Sequence, residues 1–420
     1  LLTDMTDVVA AQVLQDNYGQ NVVLGNARAG APALAAVHQR MIRELERLGI
    51  LDRALEFLPD EEAFRARRLA GEGLTGPELS VLLAYAKIAL TAALADAPLA
   101  DDPYFRSMLR RYFPPQLVDR LGDELDRHPL REQIVTTAVV NRLVNLAGIS
   151  FIFRATEETG ASALDVVRAA WATIEIFGLD RLWDEINALD SEVPTAAQTA
   201  LHLEARRLLD RATRWFLQTR GGSLDVQREV DRFGPVVATM AASVPDTLRG
   251  KERERYDRLV DRFVAIGAPA ELAGRVAAAL DVFALLDVTD VCLRSGESPE
   301  TVVPLYFATS ERFDVDRTLV RITALPRGDR WSSLARQALR SDLYAVVAGL
   351  TAGILQSTPS ELSSTERLAL WEAAHAEGVA RARSTLDDIG TVDEPDLATL
   401  SVALRVMRNL VAQGVTSATS

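Results

Sequence analysis

The sequence predicts an all-α fold, a multi-helical irregular bundle or array with no substantial sheet, and three observations predict it. Four pairs have the spacing of a capping box: Thr75 and Glu78, Ser162 and Asp165, Thr195 and Gln198, Ser363 and Glu366. In such a box a hydroxyl accepts from the amide three residues on, and the later side chain reaches back to the first amide. After these caps the apolar residues recur at intervals of three and four, as in Leu79, Leu82, Leu83 and Leu90, then Val166, Val167, Ala170, Trp171, Ile174 and Phe177. The best alternating stretch, residues 149–153, is short and isolated, and a lone strand has no partner to stabilise it. It reads as a helix end or buried turn.

Taken in order, the chain opens with a helix followed by a loop at residues 19–32, rich in Gly, Asn and Ala, which together form a first segment, 1–32. A helical subdomain over 33–220 and a terminal helical subdomain over 221–420 follow. They are divided at residues 219–223, where Gly221 and Gly222 break the helical period. A weaker break falls at 325–329, with Pro326 and Gly328. Pro77, Pro299 and Pro395 sit where a helix start tolerates a missing amide, and Gly49, Gly178, Gly267 and Gly296 follow helical runs as C-caps do. No fixed period relates the tryptophans or the caps, so a regular solenoid is not expected.

Composition limits function. A chain of 420 residues, 48% apolar and 25% charged, is long enough for two or three cores at roughly 150 residues each. The longest weakly charged stretch, 345–355, is about half the ~20 residues of a membrane span, and Asp281 and Asp287 interrupt the other apolar region, so no membrane association is expected. With 46 basic and 59 acidic residues the net charge is −13, which repels phosphates and excludes nucleic acid as a partner. The single cysteine, Cys292, cannot form an internal disulfide, and the start lacks a signal-peptide pattern; both point to the cytoplasm.

No catalytic, cofactor-binding or metal-ligating residue is readable. His38, His128, His202 and His375 lie far apart, without a second ligand at metal spacing; His38 and His128 read as satisfied surface or boundary residues. Cys292 follows an apolar run and reads as inert packing. Glu157 and Glu158, like Asp387 and Asp388, point about 100° apart on a helix and read as solvated faces. Lys87 reads as a lysine snorkelling beside the Leu82 and Leu83 face. Gly71, Gly73 and Gly76 spell the G-x-G-x-x-G of dinucleotide sites, but the preceding AFRARRLA is not a buried strand and Glu72 would stand beside the phosphates. A flexible lead into a capped helix is the better reading.

Particular strings then carry a resemblance: MTDVVAAQVLQDNYGQN, LDRALEFLP, LTGPELSVLLAYAKIAL, HPLREQIVTTAVVNRLVNLAGISFIFRATEETGA, LDSEVP, RRLLDRATRWFLQ and, further on, GAPAELAGRVAAAL and DRWSSLARQALRSDLYAVV. In this order they resemble the C-terminal helical region of the large bacterial NAD-specific glutamate dehydrogenases. One departure is Gly76, where the family string has an arginine. The resemblance implies a noncatalytic structural or regulatory region joined to a catalytic domain of the same chain. It further implies a homo-oligomeric parent that uses NAD to convert L-glutamate and water to 2-oxoglutarate and ammonium, with no cofactor in the present chain. Leu1 and Leu2 begin inside a helical pattern, as a cut from a longer chain would. The alternative is an independent helical protein-interaction module.

Two groups are candidates for contact or packing. Asp16, Asn17, Tyr18, Gln20 and Asn21 form a polar stretch with an aromatic, a candidate interdomain contact that would follow a catalytic domain. Asn141 and Asn145 stand four apart on one helix face, a candidate buried polar pair that would specify one packing arrangement.

Overall fold

The structure is a computed structural model that describes residues 2–222 and 224–417; Leu1 and Ser223, used above for the chain start and the boundary, lie outside them. Among the described residues all regular structure is helical. The chain divides into two compact units, one of residues 1–174, 179–184 and 198–229, the other of 175–178, 185–197 and 230–420.

The first unit is built from α1 (Leu2–Arg47), α2 (Glu61–Leu69), α3 (Gly76–Ala93), α4 (Pro103–Tyr112), α5 (Pro115–Leu121), α6 (Arg131–Ala147), α7 (Phe151–Thr159), most of α8 (Ala163–Ile176), the start of α9 (Leu179–Asn187) and most of α10 (Thr195–Arg220). The capping boxes at Thr75 and Ser363 are both formed, and the Asp165 amide donates to the Ser162 hydroxyl at 3.1 Å. Thr195 departs from its expected role: α10 already includes it, closing its first turn with Ala197 N–H on the Pro194 carbonyl at 2.8 Å.

The loop expected at residues 19–32 is helical instead, inside the 46-residue α1. Gly, Asn and Pro32 are locally poor helix formers, but tertiary packing overrides them. Val23, Ala31 and Ala35 are buried, α1 packs on α2, α3 and α6, and Gly19 lies against the Asn145 side chain of α6. Residues 149–153 form a turn into α7, and α6 and α7 meet at 87°. Gly49, Gly178, Gly267 and Gly296 all take the positive φ of helix ends.

The second unit continues through most of α11 (Val226–Met240), then α12 (Val244–Thr247), α13 (Gly250–Ala265), α14 (Ala270–Ala277), α15 (Ala279–Val282), α16 (Leu285–Ser295), α17 (Pro299–Arg312), α18 (Val315–Ala324), α19 (Arg330–Ser357), α20 (Ser364–Ala374), α21 (Ala376–Gly390) and α22 (Leu397–Ser417). Helix α19 is its axis, packing against α16, α17, α18, α20 and α22. Its apolar window is long enough to cross a bilayer by length and composition, contrary to the sequence expectation, but 67% of that window is buried inside the unit. The wider window counts flanking residues that the shorter 345–355 stretch left out.

Candidate functional site

The N-terminal half of α1 presents an exposed face. Asp16, Asn17, Gln20 and Asn21 are exposed, as are the apolar Val9, Val13 and Leu14. At ~100° per residue these seven side chains fall within one half of the helix circumference. Tyr18 turns the other way. It is half-buried, and its hydroxyl accepts from Gln198 Nε2 of α10 at 3.1 Å. Gly19, within the polar stretch, sits against the Asn145 side chain of α6, while the exposed polar residues of that stretch point away from it. Asn141 and Asn145 are half-buried rather than buried. Asn145 Oδ1 is itself enclosed without a protein partner.

Behind this face runs a feature that composition and motif reading missed. Gln198, His202, Arg206, Asp210 and Arg214 stand four apart along α10 and form a polar row through an otherwise apolar core. Gln198, His202 and Arg214 are buried. Arg206 donates to the carbonyls of Leu146 at 2.7 Å and Asn145 at 3.1 Å, closing the C-terminal end of α6. Burial, with Arg154 nearby, lowers its pKa to about 10. Arg154 pairs with Asp210 at 2.7 Å, Arg214 pairs with Glu158, and Arg40 of α1 pairs with Glu157 at 2.9 Å. Glu157 and Glu158 are therefore half-buried ion-pair members, not solvated faces; their divergent directions serve two different arginines. The signal was present as an i, i+4 polar spacing flanked by Leu201, Ala205, Leu209 and Ala212.

Two histidines lie in this region. His38 and His202 are both buried, which corrects the boundary role expected for His38, since its side of α1 faces the core. Burial first, then Arg154, lowers His38 to about 4; burial, then Arg206, lowers His202 to about 3. Neither ring nitrogen of His202 has a protein partner. Both rings are thus neutral near pH 7, where an uncharged imidazole costs far less to bury than an imidazolium. Among the described residues no group of three or more His, Cys, Asp or Glu is arranged to hold a metal. Burial raises the Cys292 thiol to about 11, and burial lowers Lys87, with Asp16 opposing.

The glycine triplet has a packing explanation. Gly71 takes a positive φ at the end of α2, and a Cβ on Gly73 would lie 2.3 Å from the Ala31 carbonyl carbon of α1. Gly73 is what lets the segment before α3 touch the α1 backbone, while Gly76 has only the Arg28 side chain at 3.7 Å. The element before the triplet is α2, not a strand, so no strand, loop and helix cradle exists here.

The family model described as glutamate dehydrogenase, C-terminal, matches residues 71–409. The chain belongs to the glutamate dehydrogenase C-terminal family. Similar full-length proteins are the NAD-specific glutamate dehydrogenases of Mycobacterium tuberculosis, 40% identical, Pseudomonas aeruginosa, 37%, and Halomonas elongata, 35%; each alignment covers 98% of this chain and 25% of the relative. The chain thus spans about a quarter of the length of these relatives. This member of the family is all-helical in its regular structure among the described residues and carries the polar row on α10.

Proposed function

We propose that this chain is a noncatalytic structural or regulatory region of a larger NAD-specific glutamate dehydrogenase. Its role is to hold the catalytic part through the exposed face of α1. The parent reaction would transfer hydride from the α-carbon of L-glutamate to NAD, giving an imine that water converts to 2-oxoglutarate and ammonium. The observation that carries the reading is the quarter-length match to three NAD-specific glutamate dehydrogenases along 98% of the chain. The partner is the catalytic domain of the same polypeptide, where tethering gives effective concentrations near ~1 mM and a modest patch suffices. A homo-oligomeric parent and a cytoplasmic location belong to the same proposal.

The test compares the full-length polypeptide with the 420-residue chain produced alone. The full-length protein should reduce NAD with glutamate. The separate chain should give no turnover and no micromolar NAD binding by calorimetry; either signal from it would refute the noncatalytic reading.

A further inference from the structure

The connection between α1 and α2 repeats one helix-ending device twice, with different residues at its critical position. At the end of α1 the Ile50 amide donates to the Leu45 carbonyl and the Gly49 amide to Glu46, the Schellman pattern, with Gly49 in the left-handed conformation that this motif requires. A single further turn ends the same way: the Leu58 amide donates to the Arg53 carbonyl and the Phe57 amide to Ala54. Here the left-handed position holds Phe57, at φ 54°. A bulky residue there is a strained outlier where glycine would be relaxed.

That strain contributes nothing to the core of its own unit. Phe57 is 90% exposed and Leu55 beside it 75% exposed. The turn beneath them is nevertheless held firmly. Leu51 and Leu58 are buried, Asp52 Oδ1 accepts from the Ala54 amide at 2.9 Å, Arg53 bonds Glu46 at 2.7 Å and Glu61 at 3.1 Å, and Tyr85 donates to Glu56 at 2.6 Å. The apolar side chains on display thus stand on a fixed backbone, which lowers the entropy lost when they dock. Asp52 and Asp60 flank them in the open.

We propose that Leu55 and Phe57 form an apolar knob that inserts into a cation-rimmed apolar pocket on the remainder of the longer polypeptide, a contact separate from the α1 face. Two side chains bury far less than the ~1,200 Å² of a stable intermolecular interface, which disfavours a second copy. About three-quarters of each relative lies beyond the matched quarter, so an intramolecular occupant is at hand, and the exposed acids favour a basic rim. This inference rests on the chain being part of a larger dehydrogenase.

Hydroxyl-radical footprinting of a full-length protein that turns over glutamate tests it without altering a residue. Leu55 and Phe57 should oxidise several-fold more slowly than their exposure here implies, with Leu69 and Trp331, at 86% and 75% exposure, as references. The protection should survive dilution. Phe57→Gly, which relieves the left-handed strain, should leave helix content unchanged while releasing Leu55 to the reference rate. Oxidation at the reference rate in the unaltered protein overturns the knob, as does continued protection of Leu55 in the variant. Protection lost on dilution assigns the knob to a second copy and overturns the intramolecular occupant. Because the sample already turns over glutamate, each of these failures leaves the dehydrogenase reading standing.

Discussion

At the scale of single residues, Gly73 separates two explanations of one sequence pattern. Its missing Cβ admits the α1 backbone, while Gly76 has room. Gly73→Ala forces backbone apart and should cost about 1 to 3 kcal/mol, as overpacking does, whereas Gly76→Ala should be neutral or slightly stabilising in a helix start. Thermal melts of the two variants check this, and an equal effect would remove the close approach as the reason for glycine. The sequence displayed the triplet plainly but not its cause, because the atom that excludes a side chain at Gly73 belongs to Ala31, 42 residues earlier. Tyr18 was hidden for the same reason: its partner Gln198 lies 180 residues away.

At the scale of elements, local chemistry was legible where it is self-contained. The boxes at Thr75 and Ser363 involve only residues within one turn, and both formed. Ser363→Ala should therefore cost about 1 kcal/mol, whereas Thr195→Ala, inside α10 rather than before it, should change the thermal midpoint little; a cost at Thr195 matching that at Ser363 would contradict the observed helix start. The 19–32 segment misled because its helix penalties, about 1 kcal/mol at each glycine and ~3 kcal/mol at Pro32, are local, whereas what offsets them, the packing of α1 on α2, α3 and α6, is tertiary. Helix packing in the second unit makes a similar close approach to a side chain: a Cβ on Gly349 of α19 would lie 2.9 Å from Val411 Cγ1 of α22, so the stiff β-branched valine would have to shift.

For the whole molecule, the two units carry buried groups whose titrations oppose each other. In the first, His38 and His202 have folded pKa values of about 4 and 3 against 6.5. The unfolded chain then binds more protons, so stability is full above pH 6.5 and is lost as pH falls toward those values. In the second unit Glu252 is raised from 4.5 to about 8, by burial first, with Asp281 and Asp316 adding to it and Ser310 and Arg255 opposing. The folded state binds the extra proton, so that stability is present below pH 4.5 and declines as pH rises to about 8. Thermal midpoints should drop on both sides: Glu252→Gln should flatten the limb from 6.5 to 8, and His202→Gln the limb below 4.5. Unchanged limbs in both variants would remove these groups from the pH response. None of this was visible in composition, since burial of a given His or Glu is a tertiary fact. Finally, α1 runs unbroken for 46 residues, about 69 Å at ~1.5 Å per residue, and an unbroken helix transmits angular phase as well as distance. Two residues inserted near position 12 would rotate everything before them by ~200°, whereas seven would complete nearly two turns. If whatever adjoins this rod in the longer enzyme is keyed to its azimuth, activity of the full-length protein should fall with the two-residue insertion and recover with seven; loss or retention in both would show that only reach, or neither, matters.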